Sequence, residues 1–249
     1  MKTELWTNAK KGLIFFVTIT ATFSIAIFAI KNGMPIQLFV FCAAFYLFYN
    51  TGRYLLFNRT FGNVIACVLS ICLSSLWIIF PSVILTDITA ILLGCAALYQ
   101  ISEVKISFRE ATILAIAVIL YDVVMVFVTH GMVELAISLK ASATPLMIAF
   151  TPAVEKYIHL KMIGLGDIVL PGSMMVACFY AGKRYAKRSL FVGALIGYFI
   201  GLLATIAIMN IFQYPQPATL YLYPGVFFGF WIALACNRIS LKSVLTGGK

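Results

Sequence analysis

The chain has 249 residues, of which 63% are hydrophobic and only 10% charged, with 18 basic against 8 acidic residues. Its mean hydropathy is +1.04. A soluble domain of this length cannot hide so much apolar surface, so composition excludes a water-soluble globular protein.

Crossing a bilayer takes about 20 mainly apolar residues. Eight segments qualify: 12–30, 36–56, 63–80, 82–99, 110–130, 163–182, 190–212 and 218–237. The predicted fold is therefore an all-α polytopic membrane protein of about eight transmembrane helices. The first segment follows Lys10-Lys11 and so resembles a signal peptide. Its apolar run is longer than a usual signal core, and no small-x-small cleavage site follows, so we read a retained helix. Segments three and four meet at Phe80-Pro81, where a proline in so long an apolar stretch marks a turn. Asp87 falls inside the fourth segment and is read as tied to a neighbour or to interface water. Glu103, Lys105, Arg109 and Glu110 read as a solvated turn. The six cysteines (Cys42, Cys67, Cys72, Cys95, Cys178 and Cys236) lie within the segments without metal-ligand spacing, as small apolar residues do.

The fifth segment carries Tyr121-Asp122 and the sixth carries Gly164-Leu165-Gly166-Asp167. A carboxylate at the centre of a membrane helix costs roughly 2.5–3.5 kcal/mol on insertion scales, so its default reading is functional. The glycines remove side chains where a backbone or substrate must come close. A helix N-terminus near Asp167 would favour its negative charge. Tyr121 cannot point with its neighbour Asp122, but it can line the same cavity. Between these segments, residues 131–161 contain Thr144-Pro145 and Thr151-Pro152 around a short apolar run. That run forms either an interfacial loop or a short strand, and a strand could hold an extended peptide. Before the eighth segment stands Gln216-Pro217-Ala218-Thr219-Leu220, with Pro217 as helix-start punctuation. Trp6, Trp77 and Tyr223 are read as interface anchors.

The net charge of +10 might suggest nucleic acid, but its placement excludes that partner. With segments alternating across the membrane, 14 of the 18 basic residues fall on the side of the N-terminus; Lys31, Lys140, Lys156 and Lys161 are the exceptions. The positive-inside rule then places both termini in the cytoplasm. Lys183, Arg184, Lys187 and Arg188 belong to that topogenic set, with contact to membrane lipids as a second role. His130 and His159 stand far apart without an HExxH pattern, so neither a metal nor another cofactor is expected.

Two carboxyls in one low-dielectric cavity titrate as a coupled pair and can share a proton. That state suits peptide hydrolysis, but it also suits a proton-coupled transporter. Chemistry alone leaves both open.

The order Tyr121-Asp122, Gly164-Leu165-Gly166-Asp167, Gln216-Pro217-Ala218-Thr219-Leu220 resembles the presenilin and signal peptide peptidase family of intramembrane aspartyl proteases. GxGD by itself also occurs in prepilin peptidases; the other two motifs do not fit those enzymes. The resemblance covers about residues 110–237. It implies a presenilin-like fold lacking one N-terminal span, and Asp122 and Asp167 as the catalytic pair. Tyr121, Gly164, Leu165, Gly166, Pro217, Ala218, Thr219 and Leu220 would shape the site or bind substrate. The chain would divide into an N-terminal four-span bundle, 1–109, and a catalytic half, 110–249. The family's third motif is Pro-Ala-Leu, and Thr219 departs from it. Leu220 is displaced by about 100° on a helix and need not substitute. The orientation matches the signal peptide peptidase branch. That implies transmembrane substrates of type II or remnant signal peptides, and no obligatory partner subunits. Short loops and the absence of an evident retrieval signal point to a prokaryotic plasma membrane.

The orientation is checked by placing a cysteine at Ala141 in a cysteine-free background. An impermeant thiol reagent should label it in intact cells, and labelling only after membrane disruption would reverse the topology.

Overall fold

A computed structural model describes residues 36–55, 60–80, 82–128, 145–149, 162–212 and 216–246. Its long helices are α1 (Ile36–Leu55), α2 (Thr60–Ile79), α3 (Val83–Val104), α4 (Phe108–Val123), α5 (Leu165–Arg184), α6 (Ser189–Phe212) and α7 (Thr219–Cys236). A π-helical turn, Val124–Val128, continues α4, and a short α8 (Leu241–Thr246) follows α7. These helices fall on predicted segments two to eight. The first predicted segment lies outside the described residues, as do Trp6, Pro81, His130, His159 and most of 131–161. Among the described residues, five helical stretches are long and apolar enough to cross a membrane: Val83–Val104, Phe108–Val128, Leu165–Arg184, Ser189–Phe212 and Thr219–Cys236. The protein is a multi-pass membrane protein.

Local chemistry explains three shifts from the predicted edges. The helix of the fourth predicted segment, α3, runs on to Val104, taking Glu103 out of the turn, and ends at Lys105 in a left-handed conformation (φ 52°). Ser107 then caps α4: its hydroxyl accepts the Glu110 N–H, and the Glu110 carboxylate accepts the Ser107 N–H. Glu110 is thus a helix cap and not a free turn residue. The sixth predicted segment turns helical only at Leu165, as α5, because Met162–Gly164 forms a strand, β2, antiparallel to β1 (Met147–Ala149). Their register is Met147 with Gly164, Ile148 with Ile163 and Ala149 with Met162. The apolar run before Phe150 is therefore a strand, one of the two forms its sequence allowed.

The chain forms two compact units. One contains the described parts of Lys105–Met132 and Leu170–Lys249; the other contains those of Ala26–Val104 and Val133–Val169. In the first unit, α4 buries Phe108, Ala111, Leu114, Ala115, Val118 and Asp122 along one stripe. Ile113, Ile116 and Leu120 on the opposite face are exposed, as lipid-facing residues are. The Phe108 ring stacks on Phe230 of α7 at 4.5 Å between centroids. In the second unit, Ala44 and Phe48 of α1, Leu93 and Ala96 of α3, and Leu165 form one apolar cluster.

The α6–α7 pair is built on glycine. Gly193, Gly197 and Gly201 recur every fourth residue on α6 and meet Gly225 and Gly229 of α7. A Cβ added at Gly193 would lie 2.6 Å from the Gly229 carbonyl oxygen, and one at Gly201 would lie 2.7 Å from that of Tyr221. One at Gly197 would collide with the Gly225 carbonyl oxygen. Lipid tails are as apolar as any side chain, so burial does not drive membrane helices together; close backbone approach through small residues does. Gly197→Val should therefore cost roughly 1–3 kcal/mol by overpacking, read as a lower thermal midpoint in detergent. An unchanged midpoint would show that this interface does not hold the unit together.

Candidate active site

Asp122 sits on the buried stripe of α4, one turn beyond Val118 and just before the π-helical turn. The residue is only 7% exposed. A carboxylate so buried is costly unless the protein supplies hydrogen-bond donors. It finds them at the start of α7. The Thr219 hydroxyl donates to Asp122 Oδ2 at 2.6 Å, and the Thr219 backbone N–H reaches the same oxygen at 3.4 Å.

The sequence around α7 explains why these donors are there. Pro217 has no N–H and is buried; its carbonyl accepts the Leu220 N–H at 3.1 Å. Ala218 is the N-cap and brings no side-chain acceptor. Helix N-termini leave N–H groups without partners inside the helix. Asp122, from 97 residues away, supplies the acceptor that Ala218 lacks. Leu220 and Ala218 are half-buried beside this contact. The Tyr221 hydroxyl donates to the Gln216 side-chain carbonyl at 3.2 Å.

Asp167 belongs to the second unit and occupies the first turn of α5, where the helix dipole favours a carboxylate. It is half-buried. Gly164, the last residue of β2, packs directly against it: a Cβ there would lie 3.3 Å from Asp167 Oδ2. The Leu165 N–H donates to the Leu146 carbonyl at 2.8 Å, fastening the start of α5 to the residue before β1. The Leu165 side chain is buried in the apolar cluster, and its Cδ1 lies 3.0 Å from where Gly94 of α3 would carry a Cβ. Gly166 is half-buried on the first turn. Pro171, four residues beyond Asp167, cannot donate the usual helical bond to the Asp167 carbonyl.

Position 219 is more than a place for substrate fit: its side chain bonds to Asp122 directly. Tyr223 is no interface anchor. It is 3% exposed, one turn from Thr219 on the same face of α7, and its buried hydroxyl makes no hydrogen bond of good geometry. The i, i+4 spacing of Thr219 and Tyr223 was the available signal for a shared polar face. Tyr121 is half-buried on α4. Among the described residues, no three His, Cys, Asp or Glu side chains cluster as a metal site would require.

A profile of the signal peptide peptidase family matches residues 6–249. The chain belongs to this family of membrane proteins. It is 35% identical to human signal peptide peptidase over 128 residues, which are 49% of this chain and 33% of that protein. It is 31% identical to human signal peptide peptidase-like 2B over 152 residues, 53% of this chain and 26% of that one. A probable intramembrane protease of Schizosaccharomyces pombe is 30% identical over 178 residues, covering 68% and 58%. The matched part thus spans about a third or less of the two human relatives. A presenilin-family intramembrane aspartate protease of known structure superposes with a TM-score of 0.64 at 18% identity, over 90% of this chain and 85% of its own. The fold is presenilin-like.

The close approach of Gly164 to Asp167 has a packing consequence. Gly164→Ala should strain the first turn of α5, because the new methyl sits tighter against the Asp167 carboxylate than an ordinary contact. We expect a fall in thermal midpoint equivalent to about 1 kcal/mol or more, measured beside Gly166→Ala. An unchanged midpoint would mean the carboxylate moves aside freely.

Proposed function

We propose that the protein is an intramembrane aspartyl endopeptidase that uses Asp122 and Asp167 to hydrolyse peptide bonds within transmembrane segments. The observation that carries this reading is the contact of Asp122 with Thr219. Two motifs far apart in sequence, the YD of α4 and the Pro-Ala-Thr at the head of α7, converge on one buried carboxylate. Membership of the signal peptide peptidase family supports the assignment of Asp167 as the second acid.

In this mechanism, water attacks the scissile carbonyl carbon. One aspartate, ionised, takes a proton from that water. The other, protonated, gives its proton to the carbonyl oxygen, leaving a tetrahedral diol. The C–N bond then breaks as the amide nitrogen takes a proton from the first acid and the diol returns one to the second. Both acids end as they began. The low dielectric around Asp122 strengthens each of these interactions.

The substrates in this reading are type II transmembrane segments or remnant signal peptides, as the orientation with cytoplasmic termini implies. No partner subunit is required. Strand β1 offers an extended backbone beside the Asp167 turn, suited to a substrate that has unwound. Short loops support residence in a prokaryotic plasma membrane, although the sequence relatives named above are eukaryotic.

Asp122→Asn and Asp167→Asn should each lower cleavage of a type II transmembrane peptide by roughly a hundred- to ten-thousandfold, with the thermal midpoint kept. The assay is product mass spectrometry in detergent without an ion gradient. Near-native cleavage in either variant would sink the pair. Absence of cleavage by the unmodified chain, together with pH-dependent solute uptake requiring both aspartates, would establish transport instead.

A further inference from the structure

We infer that Thr219 is a positioning residue for Asp122: its hydroxyl holds Oδ2 so that Oδ1 is the oxygen presented to the reaction. This rests on the protease reading above.

The other helical threonines whose hydroxyls donate a described bond show what such a donor does here by default, Thr51 being seen only as an acceptor from Gln100. Thr86, Thr89, Thr112 and Thr205 each donate back to the backbone carbonyl four residues earlier. Thr246 does the same. That is the ordinary fate of such a side chain. Thr219 is the first residue of its helix, so no helical turn precedes it. Its hydroxyl turns outward and meets Asp122.

The separation of 2.6 Å is that of a short O–H···O hydrogen bond. Both partners are buried, Thr219 at 2% and Asp122 at 7% exposure, so water does not compete for the bond. Both Thr219 donors converge on one oxygen, Oδ2. A carboxylate carries two acceptor oxygens, and here the second, Oδ1, takes neither donor. With Oδ2 pinned, rotation of the carboxylate about its own axis is stopped, and reacting groups gain most when they are already aligned.

The backbone bond is available to any residue at position 219. The hydroxyl bond is not: the leucine of the family's motif has none. This chain thus adds a side-chain donor to its candidate catalytic acid. A merely structural threonine would tie α4 to α7 and affect folding. A positioning threonine affects turnover.

The two roles are separated by Thr219→Val, which keeps the shape and removes the hydroxyl, and Thr219→Ser, which keeps the hydroxyl. In Thr219→Val we expect kcat to fall about tenfold with KM within about twofold of the original. Thr219→Ser should restore kcat. Should the valine variant not fold, Thr219→Ala carries the same test. A second measurement is independent of activity. Infrared difference spectra of the unmodified chain against Asp122→Asn locate the Asp122 carboxyl and carboxylate bands, which should shift in Thr219→Val and return in Thr219→Ser. An active parent chain with unchanged kcat in Thr219→Val overturns this inference alone, as does an unshifted band, or a loss that serine fails to restore. A parent chain that cleaves nothing overturns the protease reading and this role with it, and a band shift then reports the hydrogen bond by itself.

Discussion

A carboxylate inside an apolar helix must be satisfied by the protein, and that constraint organises the first unit. Asp122 lies on the inward, buried stripe of α4, away from the lipid-facing side. The start of α7 has the complementary need, because its first N–H groups lack helical acceptors. Ala218 leaves that need unmet locally. Each end solves the other's problem through Thr219. The arrangement also fixes the rotation of both helices: Ala111, Ala115, Val118 and Asp122 face inward together, and Thr219, Leu222, Tyr223, Val226 and Phe230 do the same on α7. The Phe108–Phe230 stack closes the far end of the same contact. A slip of one residue on α4 would rotate Asp122 by about 100° toward lipid, at a cost of a few kcal/mol.

Much of this was legible in the sequence, for identifiable reasons. Membrane helices announce themselves because backbone groups in lipid must bond within the segment, which demands long apolar runs. So the seven described helices coincide with predicted segments. The edges were less legible. Met162–Gly164 is as apolar as a helix start, and nothing local marks it as a strand; its partner Met147–Ala149 lies beyond the twelve residues 150–161. Likewise Glu110 reads as a loop charge unless it is paired with Ser107, three residues earlier, as a capping box. The glycine ladder of α6 was equally visible, as Gly193, Gly197 and Gly201, but its meaning needs the facing Gly225 and Gly229. Tyr223 was misread because a tyrosine near a helix end commonly sits at the interface. Its burial follows from sharing a face with Thr219, which depends on tertiary contact.

Position 219 illustrates where motif reading stops. Judged against Pro-Ala-Leu, threonine is a departure that removes an apolar contact. Judged by chemistry, it adds a hydroxyl beside an acid. Only the position of the acid decides which description matters, and that position lies on another helix 97 residues away.

The Asp167 turn is held by a different means. There the chain passes from strand to helix without a loop: Gly164 ends β2 and Leu165 begins α5. Ladder bonds to β1 fix the backbone up to Gly164, the Leu165 N–H is fixed to Leu146, and the Leu165 side chain is locked between α1 and α3. Asp167 is thus set by three kinds of constraint within three residues, and the bare Cα of Gly164 leaves space for its carboxylate. The contacts described for the two acids differ in kind. Asp122 is held at its side chain, by a hydroxyl that a single substitution could remove. Asp167 is held through its backbone, by neighbours whose own positions depend on the sheet and the core.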